Sequence, residues 1–97
     1  MGKSRRQRPV RLGAKLKEAR LKLALTQIKV AERLRVVRPT IQGGHVAEYE
    51  GGRREPSLIV LLEYARMAGI PVDFFLDDEL DLPAKLPARM RKGWDKA

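Results

Sequence analysis

Ninety-seven residues with 43% hydrophobic content fit one small domain with terminal extensions. The absence of cysteine excludes disulfides and thiolate metal sites, and no apolar run approaches the roughly 18 residues of a membrane span. The net charge of +9 is unevenly spread: positions 1–54 hold 15 Lys/Arg against 4 Asp/Glu, and positions 55–97 hold 6 against 8, which fits a polyanion-binding face or a highly charged soluble surface.

Residues 1–9 contain Lys3, Arg5, Arg6 and Arg8 without an acid, which predicts a flexible basic arm. No apolar stretch follows it, so it is not a secretory signal, and a cytoplasmic location is expected. Leu12, Leu16, Ala19 and Leu23 share one helical face and predict a first helix over 11–23. Lys15, Lys17, Glu18, Arg20 and Lys22 fall on its outer surface. Thr26 is the expected N-cap of a second helix, with Leu25 as a staple and Val30, Ala31 and Leu34 inward. That helix extends as far as Val37, and Arg38, preceding Pro39, is pushed out of helical geometry.

A third helix is predicted over 42–50, with Val46 and Tyr49 inward and Gly51 or Gly52 as its left-handed terminator. Ser57 caps a fourth, whose predicted buried stripe is Leu58, Leu61, Leu62, Ala65 and Ala68, closed by Gly69. Pro71 begins a short fifth helix with Val72, Phe75 and Leu76 inward. Residues 83–97 are expected to form a partly ordered tail, and from Leu82 at the domain's edge Leu86, Met90 and Trp94 recur every four residues.

Three blocks stand out: Leu25-Thr26-Gln27, Ala31-Glu32-Arg33-Leu34, and Tyr49-Glu50-Gly51-Gly52-Arg53-Arg54-Glu55-Pro56-Ser57. In this order, with matching flanking helices, they resemble the helix-turn-helix domain of the Cro/repressor-type (Xre) regulators. The resemblance implies an all-α, five-helix lambda-repressor-like domain over 10–82, between the arm at 1–9 and the tail at 83–97. It implies a transcriptional regulator, most simply a repressor, that binds double-stranded DNA as a homodimer with recognition helices about 34 Å apart. Gln27 matches a glutamine that bonds a DNA phosphate and braces the recognition helix. Arg53 and Arg54 match a basic turn against the phosphate backbone, or else they pair with Glu50 or Glu55. Tyr49 matches a structural aromatic.

Two features depart from the family pattern. The distance from Gln27 to Tyr49 is longer than usual, with the extra segment near residues 35–39. Arg35 and Arg38 are the expected source of added phosphate contacts there. The base-reading positions fall on Gln42, Gly43, Gly44, Ala47 and Glu48, with His45 among them. Gln42 suits adenine and Glu48 suits cytosine N4. His45 suits a phosphate or guanine, and the glycines offer only backbone N–H groups. Direct readout is therefore expected to be thin, with affinity carried by backbone charge and specificity supplemented by DNA shape.

No nucleophile–base pair, phosphate loop or metal-ligand spacing is present, so neither catalysis nor a metal or other cofactor is expected. The arm either follows DNA or solubilises the chain. Phe74, Phe75 and Leu76 are candidates for a self-association surface, and the tail for docking on a second subunit or a protein partner. With 15 residues after Leu82, no sensory domain is expected. Control by concentration, by a partner or by proteolysis is therefore expected. Two other uses of the fold stay open: an antitoxin of a toxin–antitoxin pair, and an RNA- or protein-bridging module.

Overall fold

A computed structural model describes residues 9–88. The basic arm up to residue 8 and the tail from residue 89, with Met90 and Trp94, lie outside the described residues. Five helices follow in order: α1 (Leu12–Lys22), α2 (Gln27–Leu34), α3 (Gly43–Glu50), α4 (Leu58–Ala68) and α5 (Asp73–Leu76). The described residues contain no strand, so the all-α expectation holds.

Each boundary has a local cause. Thr26 is extended, and its side chain accepts the Lys29 N–H at 3.0 Å, starting α2. Ser57 does the same for α4 through the Val60 N–H at 3.3 Å. α3 ends in a Schellman turn. Gly52 takes φ +76°, its N–H reaches Tyr49 O, and the Arg53 N–H reaches Glu48 O at 3.0 Å. Gly69, at φ 77°, closes α4 with the same pattern, and the Ile70 N–H bonds Ala65 O.

Leu16, Leu34, Ile41, Val46 and Phe75 are wholly buried and form the centre of one core. Gly13 lets α1 cross α3 closely, since a Cβ there would lie 2.8 Å from Glu50 O and 2.9 Å from Tyr49 O. Both contacts are main-chain atoms of α3, so neither can step aside.

Three expectations are corrected. Lys15, assigned to the surface, is buried: its Nζ donates to Phe74 O at 2.8 Å and Asp77 O at 2.7 Å, holding the α5 end against α1. Burial, and next the Arg11 charge, draw its pKa below the ordinary lysine value, while Asp78, Asp77 and Asp81 oppose the shift. On α4, Leu58 and Leu62 are exposed, and Val60, Tyr64 and Met67 occupy the core with Leu61, Ala65 and Ala68. The helix is turned relative to that stripe, and its buried positions, Glu63 among them, span a broader arc than a single stripe represents. Finally, Phe75 is wholly buried, while Phe74 and Leu76 pack against the core, so these residues do not form the free apolar surface expected of them.

α1 is tied to the acidic segment after α5. Asp78 accepts the Val10 and Arg11 N–H groups at 3.0 Å each, and Arg11 reaches Asp81 at 2.7 Å. These bonds satisfy donors at the α1 start, where a carboxylate also meets the favourable end of the helix dipole. The chain then continues along its own domain. Leu82 is buried, Leu86 packs on the core, and the Ala88 N–H donates to Ala68 O at 2.9 Å.

Candidate nucleic-acid interface

The connection between α2 and α3 is longer than a compact turn, yet it is closely tied. α2 stops at Leu34, before the expected Val37, and Val37 and Arg38 turn back onto Leu34 O at 3.0 Å each. Ile41, which the periodic pattern missed because it lies outside a helix, plugs the core from this connection. Arg35 Nε donates to Ile41 O at 2.9 Å. Arg38 Nη1 donates to the Tyr49 hydroxyl at 2.6 Å. Both arginines therefore hold the connection against the body, each through one N–H, and leave further guanidinium donors on a half-exposed side chain.

α3 begins at Gly43 with Gln42 as its extended N-cap. The Gln42 N–H donates to His45 Nδ1 at 2.9 Å, which assigns the ring proton to Nε2 and fixes the imidazole over the first turn. Val46 and Tyr49 face inward. Gln42 and Gly44 are exposed, and His45, Ala47 and Glu48 are half-buried.

The other end of α3 is braced. Arg20 forks onto Glu50 through Nε at 2.6 Å and Nη2 at 3.1 Å, and Gln27 Nε2 adds a bond to Glu50 Oε1 at 3.1 Å. The Arg20 and Glu50 side chains are only 12% and 5% exposed. One carboxylate thus joins α1, the start of α2 and the end of α3. Sequence reasoning placed Arg20 on the surface and offered Glu50 to Arg53 or Arg54. The signal missed was an arginine on the same turn of α1 as the buried Ala19.

In the turn after α3, Arg54 Nε pairs with Glu48 Oε1 at 2.7 Å, in the open. That hydrogen bond holds the Glu48 carboxyl below its ordinary range; desolvation opposes it, and the charges of Arg54, His45 and Arg53 add to the lowering. Arg53 is exposed and has no ion-pair partner among the described residues. The ten expected site residues therefore divide by location. Gly43, Gly44, His45 and Glu48 belong to α3, Gln42 caps its start, Arg53 and Arg54 follow it, Arg35 and Arg38 precede it, and Gln27 supports it from α2.

This arrangement is two helices separated by a buried-plug connection, the second presenting a polar face between arginines. The helix-turn-helix family model matches residues 16–75, more than half of the chain. The chain belongs to the Cro/repressor-type (Xre) helix-turn-helix family. No curated protein matches it. As a helix-turn-helix domain it is a DNA-binding fold, in which α2 and α3 are the paired helices and α3 is the second. Among the described residues no three His, Asp or Glu side chains gather as a metal site, and no helix is long and apolar enough to cross a membrane.

Proposed function

We propose that this helix-turn-helix protein is a transcriptional repressor in the cytoplasm, that α3 enters the major groove of duplex DNA, and that binding at a promoter excludes transcription. The observation that carries this is the placement of arginines on both sides of α3. Arg35 and Arg38 precede it and Arg53 and Arg54 follow it, while its exposed polar positions lie between them. Guanidinium groups so arranged suit the phosphates flanking a groove.

Within that reading, Arg53 meets a phosphate directly, and Arg54 either keeps Glu48 oriented or exchanges it for a phosphate. Gln42, His45 and Glu48 provide the few side-chain donors and acceptors for base edges. Gln27 acts from the start of α2, close to the backbone and bonded to Glu50. Pro9 and Val10 line a surface pocket with Gly52, Arg54 and Glu55, so the described residues begin beside the basic turn. This supports a phosphate-contacting role for the arm.

A homodimer completes the reading, because one recognition helix covers one half-site. Leu58, at 73% exposed, with Ile59 and Leu62 leaves an apolar face at the start of α4, next to the basic turn. We assign the subunit contact to this face in place of the residues of α5. The test of the function is titration of the protein against the duplex upstream of its own gene and against a scrambled duplex, at low and near-physiological salt. Retained preference for the upstream duplex at the higher salt is expected. Equal binding that collapses with salt would contradict a specific repressor.

A further inference from the structure

Gly43 and Gly44 are adjacent in α3 but differ in what the fold requires of them. A Cβ on Gly43 would stand 3.2 Å from Ile28 Cγ1, so packing against α2 restrains that position. A Cβ on Gly44 would meet nothing within 4 Å, and Gly44 does not adopt a positive φ. Neither space nor backbone conformation calls for glycine at 44. Glycine is among the poorest residues for a helical position, since its chain loses most freedom on folding. The fold alone would thus favour alanine. What glycine supplies at 44 is a bare main chain on the exposed first turn of α3, between Gln42 and His45.

We propose that Gly44 is a specificity-determining residue, whose main chain packs directly against a base-pair edge in the major groove. Carbon atoms in contact lie about 3.5–4.0 Å apart. A methyl group in that gap holds the helix off by about one C–C bond length, roughly 1.5 Å. At that displacement the short reach of Gln42 and His45 to neighbouring bases is lost as well. The inference rests on α3 being the DNA-reading helix. It adds that this helix reads partly by close fit, at a position with no side chain to form hydrogen bonds.

The test compares wild type and Gly44→Ala by thermal unfolding and by binding at one fixed salt concentration. The probes are the duplex that wild type selects from a randomised pool and an unselected random duplex. Expected are a melting temperature equal to or above wild type, at least about a tenfold loss on the selected duplex, and unchanged binding to the random one. Wild-type affinity of G44A for the selected duplex would overturn the proposal, as would an equal loss on both duplexes, which marks a phosphate contact. Selection of no duplex by wild type would instead remove the DNA-reading role of α3, a failure separate from that of Gly44.

Discussion

Gln27 Nε2 and Glu50 Oε1 lie 3.1 Å apart, and this bond joins the first residue of α2 to the last residue of α3. Glu50 is simultaneously forked by Arg20 from α1. A residue at the start of α2 is therefore oriented by a carboxylate at the far end of α3. The angle between the two helices and the direction of the Gln27 amide are set by one group.

Replacing each partner separates the two roles. Glu50→Ala leaves the Arg20 guanidinium nearly closed off from water without its carboxylate, and a loss of about 3 kcal/mol in denaturant unfolding is expected. Gln27→Ala removes one bond of the network and is expected to cost about 1 kcal/mol of stability. On the proposed DNA contact, Q27A lowers affinity by more than that stability loss explains. Titration of folded Q27A with duplex DNA checks it, and unchanged affinity would assign Gln27 to bracing alone.

The connection is tested at its own anchor. Tyr49→Phe deletes the hydroxyl that accepts from Arg38 at 2.6 Å, with a stability loss of about 1 kcal/mol. It keeps the charge, so the dependence of log affinity on log salt should not change. Arg38→Met removes the charge too, and its salt slope should fall by about 0.9 if Arg38 meets one phosphate. Equal slopes for the two variants would place Arg38 off the DNA.

Gly13 predicts a purely structural effect. Its missing Cβ lies against the carbonyl oxygens of Glu50 and Tyr49, so Gly13→Ala must separate α1 from α3. An overpacking loss of about 2 kcal/mol is expected in urea unfolding. Because those carbonyls lie at the end of α3, crowding there also tilts that helix. A G13A protein as stable as wild type would show that this crossing has slack.

The acid limb of stability is assigned to Asp78. The Arg11 N–H and then the Val10 N–H hold its carboxyl below the ordinary aspartate value, with weaker help from the Lys15 and Arg11 charges against desolvation. Its folded-state pKa is depressed, so the stabilisation is fully present above the unfolded value. It is lost as pH falls through the folded one. Asp78→Asn should therefore be less stable than wild type at neutral pH and show a flatter decline below the ordinary carboxylate range. Parallel pH profiles for the two proteins would remove Asp78 from that limb.

The subunit contact is addressed with Leu58→Glu. This position is solvent-exposed within one chain, so the charge costs little folding stability. Light scattering of wild type at dimer mass and of L58E at monomer mass is the expected pair of results. A dimeric L58E would move the contact elsewhere.

Much of the helical frame is legible in the sequence because its punctuation is local. Thr26, Ser57, Gly52 and Gly69 mark ends by side-chain capping or by left-handed geometry, properties of one residue and its near neighbours. Lys15, Arg20 and the apolar face of α4 were misplaced for the opposite reason. Lys15 is buried because two carbonyls from the end of α5 receive its ammonium, and nothing within α1 indicates this. Arg20 is drawn inward by an acid thirty positions away. In the candidate interface, the motif located α3 and its basic turn. The internal bonds of Arg35, Arg38 and Glu48 depend on how the long connection folds back, which no periodic pattern encodes.

On the proposed reading, α3 and its flanking arginines form the surface that meets DNA. Amide chemical-shift mapping of the full chain, titrated with the duplex selected by wild type, tests it most directly. The largest shifts are expected at Gly43, Gly44, His45, Ala47 and Glu48, with Arg35, Arg38, Arg53 and Arg54 following. Shifts confined to α4 and α5, with α3 unmoved, would place the DNA surface elsewhere.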